Sequence, residues 1–254
     1  MKHPSCLLVL AIGLCACGGT ADKPAPATLS VATPATTSTT AAPDYHPVID
    51  PAKFTNKVTN PYFPLKPGMT LVFEGVRDGQ PQHAEMTVTA ETKVITGVTC
   101  AVVRDVVTVN STLHEKTTDW YAQAANGDVW YIGEATAEYT NGKISSTKGS
   151  WEAGVDGAQP GIIMMARPKT EQTYRQEFRP GIAEDTAKIT QVAQSLKTPT
   201  GKAYQDVVVT DDTNPLDPDK ADQKYYAAGF GLIYTKRFRT GHSEELSLVK
   251  MVKP

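Results

Sequence analysis

"EMTVTAETKVITGVTCAVVRDVVTV", residues 85–109, decides the fold. In its first ten residues apolar and polar side chains alternate. Met86, Val88, Ala90 and Val94 are assigned to one face, and Glu85, Thr87, Thr89, Glu91 and Lys93 to the other. A period of two marks a half-buried strand. From Thr99 to Val109 both faces are largely apolar, as in a strand covered on both sides. Thr96-Gly97 stands between the two runs, and glycine supplies the positive φ of a tight hairpin turn. The stretch therefore predicts an antiparallel hairpin.

The same punctuation recurs along the chain. Asp78-Gly79, Asn126-Gly127, Asn141-Gly142, Thr200-Gly201 and Thr240-Gly241 each separate two strand-like runs. Further strands are predicted near 69–76, 113–122, 128–134, 172–179, 184–195, 203–210, 223–227, 231–238 and 244–252. No window carries a sustained three-four apolar repeat, and a short helix fits only near 50–56 or 218–222. The expected fold is all-β: one antiparallel meander over residues 46–254, curved or barrel-like to manage its edges, with a β-sandwich as the alternative.

Composition narrows the function classes. The chain has 254 residues and a formal net charge of −2. Residues 46–254 hold 23 basic and 25 acidic side chains, which does not suit a nucleic-acid binder. After the leader, no apolar run is long enough to span a bilayer. Of the four cysteines, only Cys100 falls in the predicted domain, so no disulfide can form within it. Its β-branched surroundings suggest a buried small hydrophobe.

The amino terminus reads as a leader. Lys2 precedes an apolar run, Cys6 to Ala16, that is too short for a stable span. Leu14-Cys15-Ala16-Cys17 resembles the lipobox of bacterial lipoproteins. The resemblance implies a signal peptide over 1–16, cleavage before Cys17, and acylation of Cys17 as the new terminus. Several acyl chains on one residue give stable anchoring. The implied location is a bacterial membrane, the outer one in a two-membrane organism, since Gly18 and not Asp follows the cysteine. Residues 17–45, rich in Ala, Pro and Thr, cannot build a core and are read as a tether. A flexible chain of that length spans roughly 30 Å.

Four phrases in the domain carry a second resemblance. "NPYFPLKPGMTLVFEG" (60–75), "DWYAQAANGDVWYIGE" (119–134), "GSWEAGVDGAQPGIIM" (149–164) and "NPLDPDKADQKYYAAGFGLIYTK" (214–236) resemble, in that order, an uncharacterised family of exported bacterial β proteins. The family implies export and a β fold. It implies no activity.

The search for chemistry starts with metals. His46, His83, His114 and His242 are far apart, and no HxH, HExxH or CxxC spacing occurs. "DDTNPLDPD" (211–219) is rich in oxygen ligands but lacks the spacing of a calcium loop, and it reads as a solvated turn. No GxSxG nucleophile elbow is present. No catalytic residue, metal site or cofactor is assigned.

What remains is the loop at 149–164. Its glycines and Pro160 specify an unusual backbone, which is common in functional loops. Trp151, Glu152, Asp156 and Gln159, with Trp120 and Trp130 nearby in the pattern, form the candidate ligand site or the plug of one barrel end. Trp151 is expected to turn inward, while Glu152 and Asp156 serve loop geometry or ligand contact. The resulting expectation is a lipid-anchored envelope protein, not an enzyme, that binds an apolar or amphipathic ligand in a curled sheet. The alternatives are a hydrolase of envelope glycans using Glu152 and Asp156, and an assembly lipoprotein that binds a protein partner through a sheet edge.

Overall fold

The structure, a computed structural model, describes residues 45–254. The signal segment 1–16, the lipobox with Cys17, and the tether as far as residue 44 lie outside the described residues. Sixteen strands form one sheet, and every pairing in it is antiparallel. The first half of the domain holds β1 (Phe54–Thr55), β2 (Thr70–Arg77), β3 (Gln80–Ile95), β4 (Val98–Val109), β5 (Thr112–Ala124), β6 (Val129–Thr140), β7 (Lys143–Ser146), β8 (Trp151–Glu152) and β9 (Gln159–Met164). The second half holds β10 (Thr173–Arg175), β11 (Glu177–Phe178), β12 (Thr186–Lys197), β13 (Ala203–Thr213), β14 (Lys220–Ala227), β15 (Gly231–Arg239) and β16 (His242–Val252). The expected short helix is a single 3-10 turn, Pro51–Lys53, and residues 220–222 are the start of β14.

The sheet runs β10-β12-β13-β14-β15-β16-β2-β3-β4-β5-β6-β9-β11. Consecutive hairpins build most of it, and the last strand, β16, returns to pair with β2. The two ends of this path are neighbours in the chain. Residues 173–175 pair with β12, residues 177–178 pair with β9, and the Gln176 N–H between them donates to Asp185 O at 2.8 Å. One short segment thus switches partners and nearly closes the sheet into a barrel, which protects its edges. The seam is tight: a Cβ on Gly161 would lie 2.3 Å from the Gln176 carbonyl carbon. Tyr45 packs there as well, its hydroxyl donating to Pro160 O at 3.0 Å and its ring edge-on to Phe178.

The hairpin at 85–109 forms, with Asp78-Gly79 and Thr96-Gly97 as two-residue turns at positive φ. Its facing differs from the alternation expected. The register shifts between Val88 and Thr92. Met86 and Val88 point inward, but beyond the bulge Ala90 and Val94 are exposed while Ile95 is buried. Across the bulge four positions of β3 stand against two of β4, and beyond it the burial no longer follows the alternation of residues 84–88.

The apolar core fills the barrel end that carries the 96–97, 125–128 and 228–230 turns. Phe63, Leu71, Met86, Val88, Val98, Cys100, Ile132, Ile163, Ile233 and Leu248 are buried there. Cys100 is enclosed, and burial pushes its thiol up to about 12, which leaves it an inert hydrophobe.

Candidate functional site in the barrel interior

The half of the barrel nearer the 78–79, 110–111, 141–142 and 240–241 turns has a different interior. Eleven acidic side chains are buried in the domain against four basic ones. They stand on the inward positions of successive strands. β5 supplies Glu115, Thr117, Asp119 and Tyr121, and β6 supplies Glu134, Thr136 and Glu138. β14 supplies Lys220, Asp222, Lys224 and Tyr226. β4 adds Asp105, β13 adds Thr210 and Asp212, β15 adds Arg237 and β16 adds Glu244. Of the remaining three acids, Glu177 on β11 and Asp185 just before β12 come from the closing segment, and Glu184 accepts from the Gly181 N–H in a turn.

One wall of this chamber is neutralised. The Arg237 guanidinium donates to both oxygens of Asp222, at 2.6 and 2.9 Å, and to Glu244 at 3.0 Å. Gln82 also donates to Glu244, at 2.9 Å. Lys224 lies 2.7 Å from Asp212, which accepts from Gln176 as well. Burial alone would raise the Asp222 carboxyl, but Arg237, Lys220 and Lys224 outweigh it and hold the group well below the usual range.

On the other wall burial outweighs the cations: Arg237 and Arg77 offset it only in part for Glu115, as Lys224 and Lys220 do for Glu177. Asp105 and Asp119 share a hydrogen bond. Burial, and then the charge of Asp119, pushes Asp105 well above the carboxylate range, so Asp105 is the member that keeps the proton. Burial pushes Asp119 up to about 6, opposed by its bonds from Asp105 and Tyr131. Burial pushes Glu115 up to about 8. Glu134 and Glu177 are also held well above their usual range, by burial first and then by neighbouring carboxylates. Tyr131 donates its O–H to Asp119 at 2.6 Å, and its oxygen lies 3.2 Å from Glu134. A phenol has one hydrogen, so the second contact needs a proton on Glu134.

Many of these groups have no hydrogen-bond partner. Seven buried acceptor oxygens lack a donor, on Gln82, Asp105, Asp119, Glu134, Glu177, Asp185 and Asp212. The buried hydroxyls of Tyr121 and Thr235 are also unpartnered. Native interiors leave few polar atoms so, and a concentration of them marks a place where water or a ligand belongs.

The residues singled out from the sequence are distributed around this chamber and not gathered in one place. Trp151 is buried, with its ring edge-on to Tyr131 and its Nε1–H donating to Glu177 at 2.6 Å. Glu152, the next residue, points to the outer face. There it meets Lys93 at 2.5 Å, and the same ammonium sits 3.5 Å above the Trp120 ring. Trp130 is half-buried against Phe54. Asp156 pairs with Arg179 at 2.8 Å, and Gln159 lies in the closing seam, opposite Phe178.

The 149–164 stretch is less of a loop than its composition suggests. Both β8 and β9 pair with β6, and only 153–158 loops out, closed by bonds such as Gly154 N–H to Ala158 O at 2.9 Å. At the opposite barrel end is a groove of about 590 Å³, lined by Pro61, Pro64, Met69 and Met251 with Lys66 and Lys253.

The carboxylate chamber went unread because acids at alternate positions look solvent-facing. In β5 the other face carries His114, Lys116 and Thr118, also polar, so periodicity could not choose the inward side. A legible signal was Arg104-Asp105, two adjacent charges in a largely apolar strand, which alternation sends to opposite faces.

The fold and site define an antiparallel, nearly closed barrel with a polar, acid-rich interior at one end. No family model matches the sequence, and no curated protein matches it. Solved structures with a similar fold exist. One, a protein of Bacteroides fragilis described provisionally as exported and as having a YmcC-like fold, is 11% identical, with a TM-score of 0.43 over 76% of this chain and 99% of its own. Another, described provisionally as a lipoprotein of Parabacteroides distasonis, is 13% identical, with a TM-score of 0.40 over 75% of this chain and 98% of its own. At these values the likeness carries no argument about activity or ligand.

Proposed function

We propose that this chain is an exported, lipid-anchored barrel of the bacterial envelope that binds a polar ligand in its carboxylate-lined interior and catalyses no reaction. The observation that carries the reading is the set of seven buried acceptor oxygens without a donor. Leaving such groups bare costs about 1–3 kcal/mol each, so the chamber favours an occupant that supplies donors. Its walls are paired strands, which fix the groups in place without a ligand. Anchoring rests on the Leu14–Cys17 box.

For the apolar or amphipathic ligand expected from the sequence, support comes from the groove at the opposite end. Its prolines and methionines suit an acyl chain, and Lys66 and Lys253 suit an anionic head group. A hydrolase reading gains less support, because Glu152 and Asp156 are each engaged with a separate cation, Lys93 and Arg179.

Mass spectrometry of the full chain purified from the membranes of its own host tests the proposal. The expected result is an acylated amino terminus at Cys17 that is lost in Cys17→Ser, together with a polar small molecule released on denaturation. An unacylated chain overturns the anchoring, and a chain that releases nothing polar overturns the binding.

A further inference from the structure

The groove at the end opposite the carboxylates lies where two strands part, and this step rests on the amphipathic-ligand reading above. β15 and β16 are paired only from Tyr234 and Ser247 toward the 240–241 turn. Beyond that point Gly231 and Leu232 stay with β14, while Leu248 to Val252 stay with β2. Register shifts at Tyr225/Tyr226 and Leu248/Lys250 mark the parting. Residues 56–69 cross the opened end. The Thr59 N–H donates to the Gln123 side chain at 2.7 Å, the Gly229 N–H to Pro61 O at 2.8 Å and the Gly68 N–H to Val88 O at 2.8 Å. On one side this segment leans on β15, since a Cβ on Gly231 would lie 3.5 Å from Pro64 Cδ. On the other it meets the residues after β16, since a Cβ on Gly68 would lie 3.2 Å from Pro254 Cβ. Between these supports is the groove, of about 590 Å³, a size usual for ligand sites.

Its surfaces are unlike. Pro61, Pro64, Met69 and Met251 offer carbon and sulfur, and among the described residues no acidic side chain lines it. Lys66 and Lys253 flank the Gly68–Pro254 contact, so both belong to one rim. Both are exposed, and neither is paired with an acid among the described residues. Positive charge on one rim of an uncharged trough fits a molecule with an anionic head and a hydrocarbon tail. Methionine adapts its shape to such tails, and lysine keeps its ammonium in water while its stem follows apolar surface. The head group therefore stays at the solvent rim and only the tail enters. That is the position of a lipid still seated in a bilayer, not of one enclosed by a carrier.

We propose that the groove takes one acyl chain of an anionic phospholipid of the membrane, with the phosphate at Lys66 and Lys253. Such binding turns this end of the barrel toward the bilayer.

Photochemical labelling locates the acyl chain. The full protein, purified from the membranes of its host, is returned to phosphatidylcholine vesicles that carry a trace of probe. The probes are phosphatidylglycerol and phosphatidylcholine with a diazirine at the end of one acyl chain, and the corresponding free fatty acid. Mass spectrometry of the digest reads the adducts and the acylation of Cys17 in one sample, so a failure of anchoring is seen apart from a failure of the groove. Phosphatidylglycerol adducts are expected to concentrate in residues 59–69 and 249–254. Replacing both rim lysines, Lys66→Gln with Lys253→Gln, should reduce them about tenfold or more. Lys143→Gln with Lys148→Gln removes the same charge from exposed positions beside the 141–142 turn, at the other end, and should leave them unchanged. Equal groove yields from both phospholipids, or a yield that survives loss of the rim lysines, overturn the anionic head group and leave the amphipathic reading standing. Groove adducts from the fatty acid alone overturn the membrane source. Adducts spread evenly over the barrel overturn the placement, and no groove adduct from any probe overturns the inference and the reading beneath it.

Discussion

Trp151 joins the two kinds of interior. Its ring packs edge-on against Tyr131 at 5.3 Å, and its N–H is a donor to Glu177, an acid with an unpartnered second oxygen. Removing the side chain therefore does two things: it opens a large cavity and takes a donor from a buried acid. Trp151→Ala is expected to cost about 3–5 kcal/mol. Trp151→Phe keeps a ring but loses the N–H, and should cost about 1–3 kcal/mol. Urea unfolding of both variants separates packing from hydrogen bonding, and a Trp151→Phe variant as stable as the parent would show that the Glu177 bond contributes nothing. Glu152, one residue on, is in a half-exposed pair with Lys93, so Glu152→Gln should change stability by less than about 1 kcal/mol. The alternation of a strand gives adjacent residues unlike environments, and composition alone does not tell which of them faces in.

At the scale of elements, strands and turns were legible, and parity was not. The glycine-bearing pairs at 78–79, 96–97 and 141–142 all form turns, because each needs positive φ at both positions. Asn110-Ser111 takes the same conformation without a glycine, and the sequence offered no cue for it. The shift opposite Trp120/Tyr121 puts an extra residue in β6, so that both Glu134 and Tyr131 point inward, and the shift at Val88/Thr92 displaces β3 against β4; a local pattern cannot reveal either because the partner strand sets the register. The closing seam was also hidden, since one segment pairs with two strands distant in sequence. Its dependence on Gly161 can be tested. A methyl group there would collide with the backbone of Arg175 and Gln176 at 2.5 Å or less. Gly161→Ala should destabilise by about 1–3 kcal/mol or more. Hydrogen exchange should rise in 159–164 and 173–178 while the β2–β5 hairpins stay protected. Protection at the seam equal to that of the parent would mean that these strands do not hold the barrel shut.

For the molecule as a whole, the curved antiparallel sheet was readable from hairpin spacing, but not what it encloses. A net charge of −2 conceals a folded state that buries eleven acids with four bases. "DDTNPLDPD" looked like a solvated turn, yet Asp212 and Asn214 turn inward. Burial of so many acids has a consequence for stability against pH. Glu115 has a native value of about 8 against an ordinary 4.5, Asp119 about 6 against 3.8, and Asp185 about 7 against 3.8. Below the ordinary values both the native and unfolded states hold these protons, and nothing is lost. Between the ordinary and native values the native state binds more protons than the unfolded one, so stability falls as pH rises. The fall starts near pH 4, takes in Asp119 to about 6, Asp185 to about 7 and Glu115 to about 8, and is deepened throughout by Asp105, Glu134 and Glu177, which burial also raises. Asp222 works in the opposite sense: its depressed native value means that stability is lost as pH drops below its ordinary 3.8. The domain should therefore melt highest at about pH 4–5 and progressively lower toward pH 8, with a ligand-free sample showing the full slope. Glu115→Gln removes one of these titrations, so it should make the curve less steep between about pH 4 and 8 and raise the melting temperature at pH 8. A melting temperature constant from pH 5 to 8, in parent and variant alike, would mean that these carboxylates ionise freely and that the interior is open to water.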